Sequence, residues 1–139
     1  MPLNRKIRMG MVGGGQGAFI GAVHRIAAQI DSQIELVCGA FSSDAERAIA
    51  SGKELYLPEA RCYPDFDTMM TEEAKLPEGE RMDFVAIVTP NHVHFPAAKA
   101  ALEAGFHVLC DKPLCHSIEE AEELKQLVAT SGKRFAISH

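Results

Sequence analysis

Three short stretches of this sequence carry residue types that can do chemistry at close quarters. The first, Gly13-Gly14-Gly15-Gln16-Gly17, is a glycine run that follows an apolar segment. Glycines permit a tight turn and a close approach of backbone to an anion. A helix starting beyond them offers free N–H groups and a favourable dipole, so the chemistry here is phosphate binding. The second, Thr89-Pro90-Asn91-His92-Val93-His94, gathers a hydroxyl, an amide and two imidazoles. The third, Asp111-Lys112-Pro113, sets an amine beside a carboxylate. Desolvation at the mouth of an apolar site pushes a lysine towards useful acid or base strength, and the adjacent carboxylate opposes that push. Asn91, His92 and His94 have no Cys or carboxylate pair at matching spacing, so no metal site is expected.

For this chemistry each stretch has to sit where a strand hands over to a helix, and the hydrophobic pattern supplies those elements. Ile7 to Val12 reads as a strand running into the glycines, and Phe19, Ile20, Val23, Ile26, Ala27 and Ile30 then recur at helical spacing. Ile34 to Ala40 is a second strand. Ser43-Asp44-Ala45-Glu46 after it has the form in which Ser43 caps a helix and Glu46 reaches back. A brief third strand is expected around Arg61 to Tyr63, then a short helix with Phe66, Met69 and Met70 on one face that stops by Pro77. Asp83 to Val88 is a near-continuous apolar run, as in a central strand covered on both faces. The helix after it is expected over Pro96 to Ala104, closed by Gly105 and followed by a strand at His107 to Cys110. A second Ser-x-x-Glu box, from Ser117, opens a helix ending at Gly132, and Phe135 to Ile137 is the last strand. Strand and helix alternating with short connections predict one α/β domain. Its sheet should be doubly wound and mainly parallel, with the ligand site at the carboxyl ends of its strands.

A glycine turn in that context is the sign of a Rossmann-type dinucleotide site, with Gly13, Gly15, Gln16, Gly17, Ala18, Phe19 and Ile20 around the pyrophosphate. Where the usual spacing counted from Gly13 wants a third glycine, this chain has Ala18. Either alanine substitutes, or the turn carries an insertion and Gly21 makes the close helix contact. No acidic residue stands at the carboxyl end of the second strand to hold an unmodified ribose, since Glu35 is at the opposite end. Ser42, Ser43 and Arg47 stand there instead and could receive a 2′-phosphate, which tilts the expected cofactor towards NADP over NAD.

The bulk properties agree with this reading. A chain of 139 residues, 47% hydrophobic, has room for one ordinary domain. A net charge of −5 argues against a cationic face for nucleic acid or anionic lipid. Cys38, Cys62, Cys110 and Cys115 are scattered, and three lie in or beside apolar runs, as suits reduced thiols. With no apolar stretch after the basic N-terminus, a cytoplasmic protein without a membrane partner is expected.

The Thr89-to-His94 and Asp111-to-Pro113 stretches, in this order and separation, resemble the Gfo/Idh/MocA oxidoreductases. So do Gly13 to Arg25, Ala40 to Asp44 and Ala100 to Gly105, and the resemblance covers nearly the whole chain. It departs in Asp111, where the family typically has glutamate. The resemblance implies that Thr89, Pro90, Asn91, His94, Asp111, Lys112 and Pro113 contact the cofactor. It also implies that Lys112 is catalytic, approaching the nicotinamide ribose and the hydroxyl that loses its proton as hydride leaves. The implied substrate is a sugar, inositol or related polyol bound by a second domain outside residues 1–139, in a full-length enzyme expected to be a homo-oligomer. On this view the isolated chain binds cofactor without turnover. The competing reading is a non-catalytic nucleotide-binding or sensor module, which would have no need of a placed lysine. A glycine turn alone would equally admit FAD or S-adenosylmethionine.

Overall fold

A computed structural model describes residues 4–138. Five strands, β1 (Ile7–Gly13), β2 (Ile34–Ala40), β3 (Phe84–Val88), β4 (His107–Cys110) and β5 (Phe135–Ile137), form one sheet in the order β2-β1-β3-β4-β5. Every pairing is parallel. Five helices connect them, with α2 and α3 both between β2 and β3: α1 (Phe19–Gln29), α2 (Ala45–Glu54), α3 (Phe66–Lys75), α4 (Asn91–Ala104) and α5 (Ile118–Ser131). The expected doubly wound parallel sheet in a single domain is what forms.

The central strand explains the architecture. Residues 85 to 88 of β3 are all buried, and because side chains alternate across a strand they feed two cores. Val85 and Ile87 join Val12, Cys38, Val108 and Cys110 against the helices carrying Met69, Ala97, Leu102 and Leu124. Ala86 and Val88 join Met9, Met11 and Phe41 on the other face, with Ile20 and Ala28 of α1 packed on them.

Four local expectations are corrected. Around Arg61 to Tyr63 there is a 3-10 turn (Glu59–Arg61) and an isolated parallel bridge of Cys62 to Gly39, so the chain touches the edge of β2 without building a strand. Asp44 caps α2 in place of Ser43, its carboxylate accepting the N–H groups of Glu46 and Arg47. α4 begins at Asn91, ahead of Pro96, which lies inside the helix. Finally, the apolar stripe of α1 faces outward: Phe19, Val23, Ile26 and Ile30 are exposed, while the buried side offers the small Gly21. The expected cap of α5 by Ser117 is present, the hydroxyl accepting from Glu120 N–H. The four cysteines are free thiols, three of them buried.

At the edge of the sheet, His107 Nδ1 accepts the backbone N–H of Arg134 at 2.9 Å, tying β4 to the start of β5. Burial, helped by the charges of Lys133 and Arg134 and opposed by Asp83, holds this imidazole below its ordinary range. A depressed histidine favours the neutral form in the fold, so stability is present above the unfolded value and is lost as pH falls below it. Urea midpoints at about pH 7.5 and about pH 5 should therefore drop more for the wild type than for His107→Asn, whose side-chain oxygen keeps an acceptor that does not titrate. Equal drops would remove His107 from the acid response.

Candidate functional site

The carboxyl ends of β1, β2 and β3 open onto a cleft of about 470 Å³. It is lined by Gly13, Gly14, Gly15, Gln16 and Ala18 from the first turn, Ala40 to Ser43 and Arg47 from the second, and Thr89, Pro90, His92 and Val93 from the third, with Asp65 and Phe66 closing one side. A larger, more open groove of about 720 Å³ between α3 and α4 touches none of the glycine-turn or Lys112 residues.

The glycine turn is shaped by close backbone packing. Gly13 and Gly14 have φ of 84° and 73°, a region that favours glycine. A Cβ on Gly21 would lie 2.4 Å from the Gly14 Cα, so the helix can rest on the turn only because neither residue has a side chain. Gly21 therefore makes the close contact, and Ala18 stands at the N-cap position of α1. The turn is also tied to its surroundings. Gly15 N–H donates to Phe41 O at 3.0 Å, Gln16 N–H to the buried Ser51 Oγ at 3.1 Å, and Arg25 Nη1 to Gly14 O at 2.9 Å. Burial lowers the affinity of the Arg25 guanidinium for its proton, but it stays charged.

Helix capping shows where the polar capacity of the site lies. α2, α3 and α5 are capped by Asp44, Asp65 and Ser117. α1 and α4 have Ala18 and Pro90 at the capping position and no side-chain cap, and both of those residues line the cleft. Alanine is a poor cap, and the first-turn amides it leaves unmet, which include those of Phe19 and Ile20, are donors for an external anion. No acidic residue in the first turn of either helix competes for that role.

The family is decided by comparison with known proteins. The model of an oxidoreductase family with an NAD-binding Rossmann fold, Gfo/Idh/MocA, matches residues 7–139. The chain belongs to the Gfo/Idh/MocA oxidoreductases. It is 42% identical over 138 residues to the uncharacterized oxidoreductase YfiI of Bacillus subtilis, covering 99% of this chain and 35% of that protein. A crystal structure of an oxidoreductase from Sinorhizobium meliloti superimposes with a TM-score of 0.90 at 53% identity over 98% of this chain and 37% of that one. An inositol dehydrogenase homologue from Azotobacter vinelandii, crystallised with NADH and myo-inositol, gives a TM-score of 0.93 at 41% identity over 98% and 35%. The chain thus spans about a third of the length of these Gfo/Idh/MocA relatives.

Against this family background, the geometry distributes the candidate residues unevenly. Gly13, Gly15, Gln16, Ala18, Ser42, Ser43, Arg47, Thr89 and Pro90 all line the cleft. Gly17 and Phe19 border a second depression on the outer side of the turn, and Ile20 packs into the core. Gln16 turns its side chain away to Glu54, at 2.7 Å. Asn91 is exposed at the start of α4. His94 differs from expectation: it is fully buried and does not reach the cleft, whereas His92, which the resemblance does not place at the cofactor, lines it. A helix beginning at Asn91 turns positions 92 and 94 to different sides, a distinction that a loop reading of this segment hides.

Asp111, Lys112 and Pro113 follow β4, beside the cleft but not in its lining. The Asp111 carboxylate accepts the Ser138 hydroxyl at 2.9 Å, and Lys112 is exposed. Val12, Gly14, Ala40, Phe41, Asp65, Phe66 and Val93 also line the cleft without having been expected from the sequence to contact the cofactor. The glycine run could have pointed to Gly14, and the helix-capping pattern Asp65-x-x-Thr68 to Asp65. Among the described residues no group of three His, Cys, Asp or Glu side chains could hold a metal ion, and no helix is long and apolar enough to cross a membrane.

Proposed function

We propose that this chain binds a nicotinamide dinucleotide in the cleft and forms the cofactor half of a dehydrogenase acting on a secondary hydroxyl of a sugar, inositol or related polyol. The observation that carries the reading is the pair of helices left uncapped where they meet the cleft, set behind a glycine turn held close by Gly14 and Gly21. Phe19 and Ile20 amides would take the pyrophosphate, Ser42, Ser43 and Arg47 the adenosine ribose, and Thr89 and Pro90 the nicotinamide half. The cofactor supplies the hydride acceptor. Lys112 would hold the substrate hydroxyl and take its proton as the hydride leaves the carbon. The remaining two thirds of the relatives' length would supply the substrate domain, and the homologue holding both NADH and myo-inositol supports this substrate class.

At the adenosine end, Ser42, Ser43 and Arg47 line the cleft with no carboxylate from β2, and the nearby Asp44 and Asp65 carboxylates are engaged in capping. This supports NADPH as the preferred form. Titrating the chain with NADH and NADPH by nicotinamide fluorescence should show tighter binding of NADPH. Arg47→Ala should erase the preference by weakening NADPH about tenfold, the worth of one charge-assisted bond, and leave NADH unchanged. Preference for NADH in the wild type would reverse the assignment, and binding of neither would sink the cofactor reading.

A further inference from the structure

The Lys112 side chain makes no hydrogen bond or ion pair among the described residues, so its place is set by the backbone on either side of it. On one side Asp111 N–H donates to Ile87 O of β3 at 2.9 Å. On the other, the Pro113 carbonyl meets His94 Nδ1 at 2.6 Å. The His94 ring is completely buried, and its Nε2 faces the Thr89 carbonyl at 3.1 Å. One imidazole on α4 therefore spans two loops that the sheet brings side by side: the one leaving β3 that lines the cleft, and the one leaving β4 that carries Lys112. Both partners are carbonyls and can only accept, while a neutral imidazole donates from one nitrogen. Both contacts lie within hydrogen-bond distance, and the shorter one, to Pro113, favours Nδ1 as the nitrogen that carries the proton.

We propose that His94 is a positioning residue for Lys112: through its Nδ1–H it fixes the Pro113 carbonyl and holds the Lys112 backbone against the end of β3. The consequence for cofactor and substrate rests on the assignment of Lys112 to the nicotinamide end made above. The buried ring lacks access to either ligand, so its effect is on where the amine stands.

The test uses two amides that imitate different halves of the ring. An asparagine at 94 places a donor near the position of Nδ1, and a glutamine near that of Nε2. If His94 merely fills space, the larger glutamine is the better substitute. If its Nδ1–H positions Lys112, His94→Asn is the better one.

In backbone amide NMR of the unliganded chain, Lys112 and Leu114 should keep their wild-type shifts in His94→Asn and move in His94→Gln. Saturation with NADH or NADPH should perturb Lys112 in the wild type and in His94→Asn. His94→Gln should bind the same cofactor about tenfold more weakly, the effect of one lost hydrogen bond. The reverse order, or equal behaviour of the two variants, overturns the proposal. A wild-type Lys112 that ignores a cofactor which does shift the glycine-turn amides overturns the placement of Lys112 itself, and is told apart because the unliganded comparison does not depend on it. Should both variants misfold, nitrogen NMR of the wild-type imidazole still decides: a protonated Nδ1 is expected, and an unprotonated Nδ1 overturns the proposal.

Discussion

Gly21→Ala is expected to weaken cofactor binding by about two orders of magnitude while leaving the fold largely in place. The added methyl would stand 2.4 Å from Gly14 Cα and 3.0 Å from Gly14 O, both backbone atoms that cannot rotate aside. The helix and the turn must part by about 1 Å to restore ordinary contact, and a misplacement of that size is enough to cost about 100-fold where several donors converge on one anion. Alanine also gains helix propensity over glycine, about 1 kcal/mol, which offsets part of an overpacking cost of about 1–3 kcal/mol. Stability should therefore change little while binding collapses. Fluorescence titration and a urea melt on the same variant measure both quantities. Gly79→Ala, at a site with no atom within 4 Å of the new methyl, is the matched control. Unimpaired binding by Gly21→Ala would mean that the turn does not cradle the cofactor.

Glu73→Leu is expected to remove about 4 kcal/mol of stability, a large part of the roughly 5–15 kcal/mol that holds a domain together. The Glu73 carboxylate is fully buried and collects four donors: Arg61 Nε at 3.0 Å and Nη2 at 2.6 Å, the Tyr63 hydroxyl at 2.6 Å and Met82 N–H at 3.0 Å. Removing it strands a half-buried guanidinium, a phenol and a buried amide at once. In the wild type, burial first and then the bonded carboxylate hold the Tyr63 phenol well above its ordinary range, in the neutral form that donates to Glu73. Tyr63→Phe, which takes away one donor and leaves the ion pair, should cost about 2 kcal/mol. The network has a functional side as well. Tyr63 N–H donates to Gly39 O at the edge of β2, and the same segment leads into Asp65 and Phe66 of the cleft wall. Urea midpoints at neutral pH test the order, and a Glu73→Leu variant as stable as Tyr63→Phe would show that the ion pair contributes nothing.

What could be read from the sequence was whatever depends on local pattern. The all-apolar run 84–88 announced a strand covered on both faces, and Gly105 and Gly132 close α4 and α5 with the left-handed backbone that glycine allows. What failed depended on partners far along the chain. The stripe Phe19, Val23, Ile26 and Ile30 looks like a core face, yet Gly21 sets the orientation of α1 because only a bare backbone fits against Gly14. The start of α4 was hidden by Pro96, a residue that usually opens helices and is here tolerated inside one. The separation of His92 from His94 was hidden with it, because it depends on the helix beginning at Asn91. The Arg61–Glu73–Tyr63 cluster has no spacing rule at all, since its members meet only after the chain has folded back on β2.

The bonds from Gly15 to Phe41, from Gln16 to Ser51 and from Arg25 to Gly14 bear on the thermodynamics of recognition. They fasten the glycine turn to the residue after β2, to α2 and to α1 within the protein itself, so the conformational entropy of that loop is given up when the chain folds. On the proposed assignment, a dinucleotide arriving later would meet a turn already fastened in place and would lose chiefly its own freedom. Affinity at this turn is then governed by preorganisation, and a substitution that loosens Ser51 would act as an entropic penalty on binding without touching the ligand.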